Sequence, residues 1–257
     1  MAFQTLLREL RLQNPVIQCI TNYVAMNISA NVVLAAGASP AMVHAEEEIA
    51  DFTPLSNGLS INVGTLSSPW IISMKKAAAM ANEKKIPWVL DPVAHFISSY
   101  RAQATKDLLN LRPVILRGNA SEILTLAGKA GAGKGADAGD SVEDAQEAGR
   151  FLAAQFGTVV AISGLIDFVT DGSREARVEG GSSIMPQVTA LGCAQSALMG
   201  AYAAVGPAFE AALSALAHFK VSGTVADGTA SGPGSFQVGF LDALATTQPD
   251  QLQDVIL

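Results

Sequence analysis

The sequence predicts an α/β fold with a mainly parallel central sheet that is flanked by helices on both faces. The main observation is that short β-type runs alternate with longer helical runs along the chain. A second is that 49% of the 257 residues are apolar and only 15% are charged, which suits one large core. A third is that polar residues or glycine follow the β-type runs, where open α/β sheets carry their ligand sites.

The elements follow in chain order. An amphipathic segment with Leu6, Leu7 and Leu10 comes first. Four strand and helix pairs are then predicted, at 16–20 and 24–36, at 59–63 and 70–85, at 87–90 and after Tyr100, and at 114–116 and 120–127. Beyond them we expect a helix at 142–155, strands at 158–162 and 166–170 that form a hairpin into Asp171-Gly172, and three C-terminal helices.

The stretch between Gly128 and Ser141 has no periodicity and predicts a mobile glycine-rich connection. It copies most of a phosphate-binding P-loop, but Gly135 stands where that motif needs Ser or Thr, and the stretch follows a helix instead of a strand. Lys129 and Lys134 either approach phosphates from this loop or are solvated. Residues 1–257 are expected to form one domain, because the chain is too short for two comfortable cores.

Charge and hydropathy exclude several classes of protein. The formal net charge is −7 and no basic block is present, which argues against an extended nucleic-acid or anionic membrane surface. The apolar run at 194–216 is interrupted by polar residues, glycine and proline, and is rich in alanine, so we expect buried helices there. The start of the chain lacks the features of a secretory signal, and a cytoplasmic location with reduced thiols at Cys19 and Cys193 is expected.

Polar residues gather at the carboxyl ends of the predicted strands. Each group alone is equally typical of a helix cap or a turn. Five groups at one edge of a sheet instead predict a ligand site. The groups are Thr21-Asn22, the run from Asn62 to Thr65, Asp91-Pro92, the run from Arg117 to Asn119, and Ser163-Gly164.

Charged residues in this set suggest a site for magnesium and phosphate. Asp91 and Glu122 could hold Mg²⁺ beside phosphates, since this cation is bound through one or two carboxylates and water. Asp91 could equally cap a turn, and Glu122 could form a helix cap pair with Asn119. Arg117 ends an apolar strand, where its guanidinium needs either a phosphate or a neighbouring acid as partner.

The segment that leads into the helix after residue 193 resembles an anion site. Backbone N–H groups near Gly192 are expected to point out of a helix N-terminus. The positive end of the helix dipole is expected to lower the pKa of the Cys193 thiol. A small buried cysteine without a chemical role is the alternative. The histidines and cysteines show no spacing typical of a zinc site or a hydrolase triad.

Six blocks of sequence resemble, in order, the signatures of the hydroxyethylthiazole kinase family, the thiamine-salvage members of the ribokinase-like superfamily. The resemblance covers nearly the whole chain and implies a ribokinase-like fold and a kinase. The blocks are Cys19 to Asn22, Gly37 to Met42, Ile61 to Thr65, Asp91-Pro92-Val93, Arg117 to Glu122, and Gly232 to Phe236.

The resemblance implies transfer of the γ-phosphate of ATP to the primary alcohol of 4-methyl-5-(2-hydroxyethyl)thiazole, with Mg²⁺. Met42, with Asn22 and Ala190, would contact the thiazole. Gly192 and its neighbours would form an anion hole, and Cys193 would take the place that most ribokinase-like enzymes give to an aspartate base. The remaining implied residues are Arg117, Ser163 and Asn119 for ATP, and Asp91 and Glu122 for the metal. A homotrimer with sites near subunit boundaries is implied as well, with no nucleic-acid or membrane partner.

Two departures from the family pattern fall at this site. Ala190-Leu191 replaces the usual Gly-Thr before Gly192-Cys193, and His95-Phe96 adds bulk after the Asp-Pro-Val block. They raise the alternative of a low-turnover member that acts as a thiazole-binding or nucleotide-binding protein. Another alternative is a related ribokinase-like kinase for a hydroxymethylpyrimidine or a sugar, against which Cys193 argues, because those relatives carry aspartate there.

Overall fold

The computed structural model describes residues 3, 5–129 and 142–257. Their strands are β1 (Val16–Ile20), β2 (Ser39–Ala41), β3 (Gly58–Asn62), β4 (Trp88–Asp91), β5 (Ile115–Asn119), β6 (Val159–Ser163), β7 (Asp167–Thr170) and β8 (Glu175–Val178). Their helices are α1 (Thr5–Gln13), α2 (Met26–Ala36), α3 (Glu46–Phe52), α4 (Ser68–Lys84), α5 (Ser99–Leu109), α6 (Ala120–Leu126), α7 (Val142–Phe156), α8 (Leu191–Ala203), α9 (Ala208–Asp227) and α10 (Pro233–Thr246).

The described strands form one eight-stranded sheet in the order β2-β1-β3-β4-β5-β6-β7-β8. The pairs from β2 to β6 are parallel, whereas β7 and β8 are antiparallel to their neighbours. The carboxyl ends of six strands therefore meet at one edge of the sheet. The predicted hairpin of β6 and β7 is confirmed.

Apolar side chains from both faces of the sheet pack against helices. On one face, residues such as Ile115 and Ala161 belong to a buried cluster with α1, α2, α8, α9 and α10. On the other face, Leu116 and Ile162 pack with α4, α6 and α7. Because successive side chains of a strand point to opposite faces, each central strand contributes to both clusters. The predicted fold class is confirmed.

Three short elements were missed by the sequence analysis. Strand β2 has only three residues, α3 only seven, and β8 has an exposed, charged start at Glu175. Elements of this length carry too little periodicity to be separated from turns. The predicted mobile connection, apart from Gly128 and Lys129, lies outside the described residues. No helix among those described has both the length and the apolar character that crossing a bilayer requires.

Candidate active site

The parallel strands bring the five predicted polar groups to one edge of the sheet. Asn22 follows β1, Asn62 ends β3, Asp91 ends β4, and Ser163 ends β6. The first turn of α8 meets this edge, so that Cys193 faces Asn22. The site is therefore assembled from strand ends together with the N-terminus of α8.

A chain of buried hydrogen bonds links the strand ends. Asn22 donates from Nδ2 to Oδ1 of Asn62 at 2.9 Å, and Asn62 donates from Nδ2 to Oδ2 of Asp91 at 2.8 Å. The hydroxyl of Ser196 on α8 donates to the same Asp91 oxygen at 2.7 Å. A Cβ on Gly64 would lie 2.5 Å from the Asn22 side chain, so only glycine fits there. These contacts fix the orientation of the Asp91 carboxylate.

Arg117 and Ser163 are brought into direct contact. The Arg117 guanidinium donates from Nη2 to Oγ of Ser163 at 2.6 Å and from Nε to Oε1 of Gln195 at 3.2 Å. Its Nη1 lies 3.8 Å from Oδ2 of Asp91. The sequence left open whether Arg117 pairs with an acid or a phosphate, and the structure shows the ion pair with Asp91.

The Asp91 carboxylate is fully buried, and within the described part of the chain only one of its two oxygens accepts hydrogen bonds. Burial raises its pKa, and the opposing influences are the charge of Arg117 and the hydrogen bonds from Ser196 and Asn62. Its Oδ1 atom accepts no hydrogen bond from the residues that the structure describes. A buried carboxylate oxygen without a partner is costly, so this atom is a natural ligand position for a cation.

Glu122 is held by backbone amides. It forms the capping box of α6 with Asn119: Oε2 accepts from the Asn119 N–H at 2.8 Å, and Oδ1 of Asn119 accepts from the Glu122 N–H at 2.9 Å. The N–H of Ala94 donates to Oε1 at 2.8 Å. Burial, followed by the charge of Asp91, raises the Glu122 pKa to about 7. The cap interpretation of Asn119 and Glu122 is confirmed, and their roles toward ATP and metal remain predictions.

The start of α8 has an unusual backbone. Ala190 precedes the helix with φ 62° and ψ 12°, the left-handed region that costs an L-residue energy. Gly192 lies against the Arg117 guanidinium, whose two terminal nitrogens would be 2.9 Å from a Cβ at this position. Absence of a side chain at Gly192 thus lets Arg117 approach the helix N-terminus.

Cys193 carries a protonated thiol at neutral pH. Burial, helped by the charge of Asp91, raises its pKa to about 11. The expectation that the helix field lowers this pKa was wrong, because desolvation of the thiolate and a nearby carboxylate outweigh it. The Asn22 amide donates to Sγ at 3.4 Å, so the thiol is oriented by a residue of the opposite strand end.

The remaining predicted substrate residues are Met42 and Ala190. Met42 follows β2, and its carbonyl contacts Nδ1 of His44 at 3.2 Å. Met42 and Ala190 are both half-buried against the same apolar cluster. An aromatic group that the sequence analysis missed lies close by: the Trp70 ring has its centroid 4.8 Å from the rings of both Tyr23 and His44.

A cavity of about 470 Å³ opens beside Arg117. It is lined by Arg117, Ser163, Gly164, Leu165, Asp167, Gly180, Gly181, Ser182, Ser183, Met185, Pro186, Leu191, Gly192, Gln195, Phe219 and Lys220. The volume suits a small molecule, and the wall combines the charged groups of Arg117, Asp167 and Lys220 with polar and apolar side chains. Lys129, which the sequence left between phosphate contact and solvation, forms an exposed ion pair with Glu147 at 2.9 Å.

Sequence reasoning missed Gln195 and Ser196. Both are buried on α8 and hold Arg117 and Asp91 respectively. Ser196 lies three residues after Cys193, and this helical spacing was the available signal. No group of three or more His, Cys, Asp or Glu among the described residues is arranged to hold a metal ion. A magnesium site with few protein ligands requires no such group.

Comparison with a solved structure gives the fold. The structure superposes on an ADP complex of pyridoxal kinase from Bacillus subtilis with a TM-score of 0.62 and 17% sequence identity, covering 81% of this chain and 91% of that one. At this identity the match shows the fold alone. The fold is ribokinase-like, as the sequence predicted.

Closer relatives give the family. Residues 7–250 match the model of the hydroxyethylthiazole kinase family. A hydroxyethylthiazole kinase of Roseobacter denitrificans is 70% identical over 256 residues, covering 100% of both chains. The structure of a hydroxyethylthiazole kinase from Pyrococcus horikoshii has a TM-score of 0.92 at 36% identity, covering 99% of this chain and 97% of that one. The chain belongs to the hydroxyethylthiazole kinase family and is a kinase.

Proposed function

We propose that this kinase transfers the γ-phosphate of ATP to the primary alcohol of 4-methyl-5-(2-hydroxyethyl)thiazole in thiamine salvage. The observation that carries the proposal is the position of Cys193 and Gly192 between the Arg117 cavity and the Asn22 strand end. A phosphate donor on one side and an alcohol on the other would meet at this helix N-terminus. Membership of the family supports the choice of substrate.

The triphosphate is assigned to the cavity beside Arg117. The guanidinium of Arg117 and the hydroxyl of Ser163 are already oriented by each other and would bind phosphate oxygens. Backbone N–H groups at the start of α8, around Gly192, offer the anion hole that a developing charge requires. Asn119 would contribute from the end of β5, although its side chain also caps α6.

The alcohol is assigned to the other side of Cys193. Asn22, Met42 and Ala190 would surround the thiazole, and Asn22 holds Sγ of Cys193 in place. At neutral pH the protonated thiol orients the attacking hydroxyl, and a thiolate formed at higher pH would accept its proton. A loose transition state requires little early proton removal, so positioning and electrostatics supply most of the rate.

The residues present fit a magnesium ion. Oδ1 of Asp91 is buried without a hydrogen-bond partner among the described residues, and Glu122 is the second carboxylate, although backbone amides occupy both of its oxygens. One carboxylate with water and phosphate oxygens is a common magnesium environment. When bound, the ion would neutralise charge on the phosphates. Arg117 supplies the protein's own positive charge at the same point.

The same proposal extends to assembly and location. We assign a homotrimer with sites near subunit boundaries, supported by the exposed apolar side chains of Tyr23 and Val24 directly after Asn22. We also assign one domain over residues 1–257, supported by one continuous sheet, and a cytoplasmic location, supported by two free thiols. Light scattering that gives a monomer would contradict the trimer.

Direct product detection tests the proposed reaction. Purified protein is incubated with the thiazole alcohol, ATP and Mg²⁺, and the phosphorylated product is measured by mass spectrometry. We expect product, and we expect it to disappear when Mg²⁺ is withheld. Absence of product together with calorimetric binding of the thiazole would contradict the reaction and favour a binding protein.

A further inference from the structure

A buried ammonium group lies in the wall of the cavity that is assigned to the nucleotide. Lys220, on α9, is 6% exposed. Its Nζ donates to the carbonyl oxygens of Gly164 and Leu165, at 2.8 Å each, and lies 3.4 Å from Oδ1 of Asp167. An ammonium group has three protons, and these three oxygens can take all of them. Lys220 therefore has no proton left for a phosphate.

The oxygens around Lys220 belong to the turn between β6 and β7. Gly164 directly follows Ser163, the partner of Arg117. The N–H of Gly164 donates to Oδ1 of Asp167 at 2.8 Å, so the turn is closed on itself by the same carboxylate. Without the ammonium, two carbonyl dipoles and a carboxylate would converge on a buried space. The two carbonyl oxygens and the carboxylate would then repel one another and destabilise the turn.

The aliphatic part of the Lys220 side chain also packs against Gly181, another residue of the cavity wall. A Cβ on Gly181 would be 3.2 Å from Cδ of Lys220, and Gly181 has φ +87°, where glycine is favoured. The N–H of Gly181 donates to Oγ1 of Thr224, one turn along α9 from Lys220. Lys220 thus contacts both the turn after β6 and the glycine pair after β8.

We propose that Lys220 is a positioning residue that acts as a built-in monovalent cation and fixes the Ser163 to Asp167 turn for nucleotide binding. Two carbonyl oxygens and a carboxylate are also the ligands that a dehydrated monovalent cation takes from a protein. The role is distinct from phosphate binding and from chemistry at Cys193. It rests on the assignment of ATP to this cavity.

A small free cation should therefore replace the missing ammonium group. In choline chloride, the variant Lys220→Met should bind ATP about tenfold more weakly than the parent enzyme, by calorimetry, with a raised KM for ATP and a kcat that changes less. Adding K⁺ or NH₄⁺ should restore ATP affinity, and Li⁺ should not, because it is too small to span the three oxygens. The parent enzyme should show no such dependence.

Two further variants separate positioning from general destabilisation. Lys76→Met removes an exposed lysine that pairs with Glu46 and should show no cation effect. Lys220→Met combined with Asp167→Asn removes the unpaired carboxylate as well, and should fold more stably than the single variant but respond less to K⁺. Melting temperatures in choline, lithium and potassium chloride are measured for each protein.

Failure of this inference can be distinguished from failure of the proposed reaction. A loss of ATP affinity in choline chloride that K⁺ and NH₄⁺ reverse, and Li⁺ does not, supports the inference. Unchanged ATP affinity of Lys220→Met in choline chloride, or a lost affinity that K⁺ and NH₄⁺ do not restore, overturns it, whatever the melting temperature does. Product formation by the parent enzyme is measured alongside, so failure of the thiazole reaction is seen independently of the cation effect.

Discussion

Replacement of Gly192 by alanine should weaken ATP binding, because the added side chain displaces Arg117. Gly192 is the second residue of α8, where alanine is the better helix former, by roughly 0.5–1 kcal/mol. The added Cβ would be 2.9 Å from both terminal nitrogens of Arg117. Ordinary contacts between such atoms are about 3.5–4.0 Å, so the guanidinium must move by roughly half an ångström or more.

The displaced guanidinium is the part of the site that is assigned to phosphate. Its hydrogen bond to Ser163 at 2.6 Å and its 3.8 Å approach to Asp91 both depend on the present position. Hydrogen bonds to charged groups contribute about 1.5–3 kcal/mol. Loss of one such bond to a phosphate corresponds to an ATP affinity lower by about 10- to 150-fold.

Calorimetry with ATP and urea unfolding measure the two effects separately. Gly200→Ala is a matched control in the same helix, because its Cβ would meet only ordinary contacts of 3.5 Å or more. This control should keep full ATP affinity and gain the helix stability that alanine has over glycine. Unchanged ATP affinity in Gly192→Ala would refute the assignment of phosphate to Arg117.

Three further predictions concern other parts of the molecule. Burial lowers the pKa of His218 from 6.5 to about 4, so the stability that neutral His218 contributes is present above pH 6.5 and is lost as the pH falls toward 4. Urea unfolding should show that the free energy of unfolding falls by about 2.5 kcal/mol between pH 7.5 and 4.5. An equal fall in His218→Gln would contradict this prediction. Cys193→Ala should lower kcat by about 10²-fold, the loss that misplacement of a reacting group by about 1 Å can cause, because the thiol orients the attacking hydroxyl; full activity in a product assay would remove Cys193 from the mechanism. Ala190→Gly should raise the free energy of unfolding by about 1 kcal/mol by relieving the left-handed backbone, and a lower melting temperature would show this account to be wrong.

The sheet and its long helices could be predicted because their apolar patterns are long and regular. Strand β1 was predicted with its observed bounds, and α4 and α7 within two residues at each end. The edge strands β2 and β8 could not, since three or four half-exposed residues have no clear alternation. Pairing with a neighbour, which the sequence does not display, makes these segments strands.

The site was predicted in part for a similar reason. Polar residues at strand ends could be collected at one edge from topology alone, which gave Asn22, Asp91, Arg117 and Ser163. The pKa of Cys193 could not be predicted, because it depends on burial and on the distance to Asp91, two quantities set by tertiary packing. The buried pair of Lys220 and Asp167 was missed because the residues are 53 positions apart in sequence.

One helix, α8, contacts residues near the ends of three strands of the site at once. Gly192 meets Arg117, Cys193 meets Asn22, and Ser196 meets Asp91. A helix moves as a rod, so a change that shifts α8 would disturb all three contacts together, whereas each strand-end loop can vary alone. Changes in substrate preference should therefore arise by substitutions in the loops at the strand ends, while the residues of α8 stay unchanged.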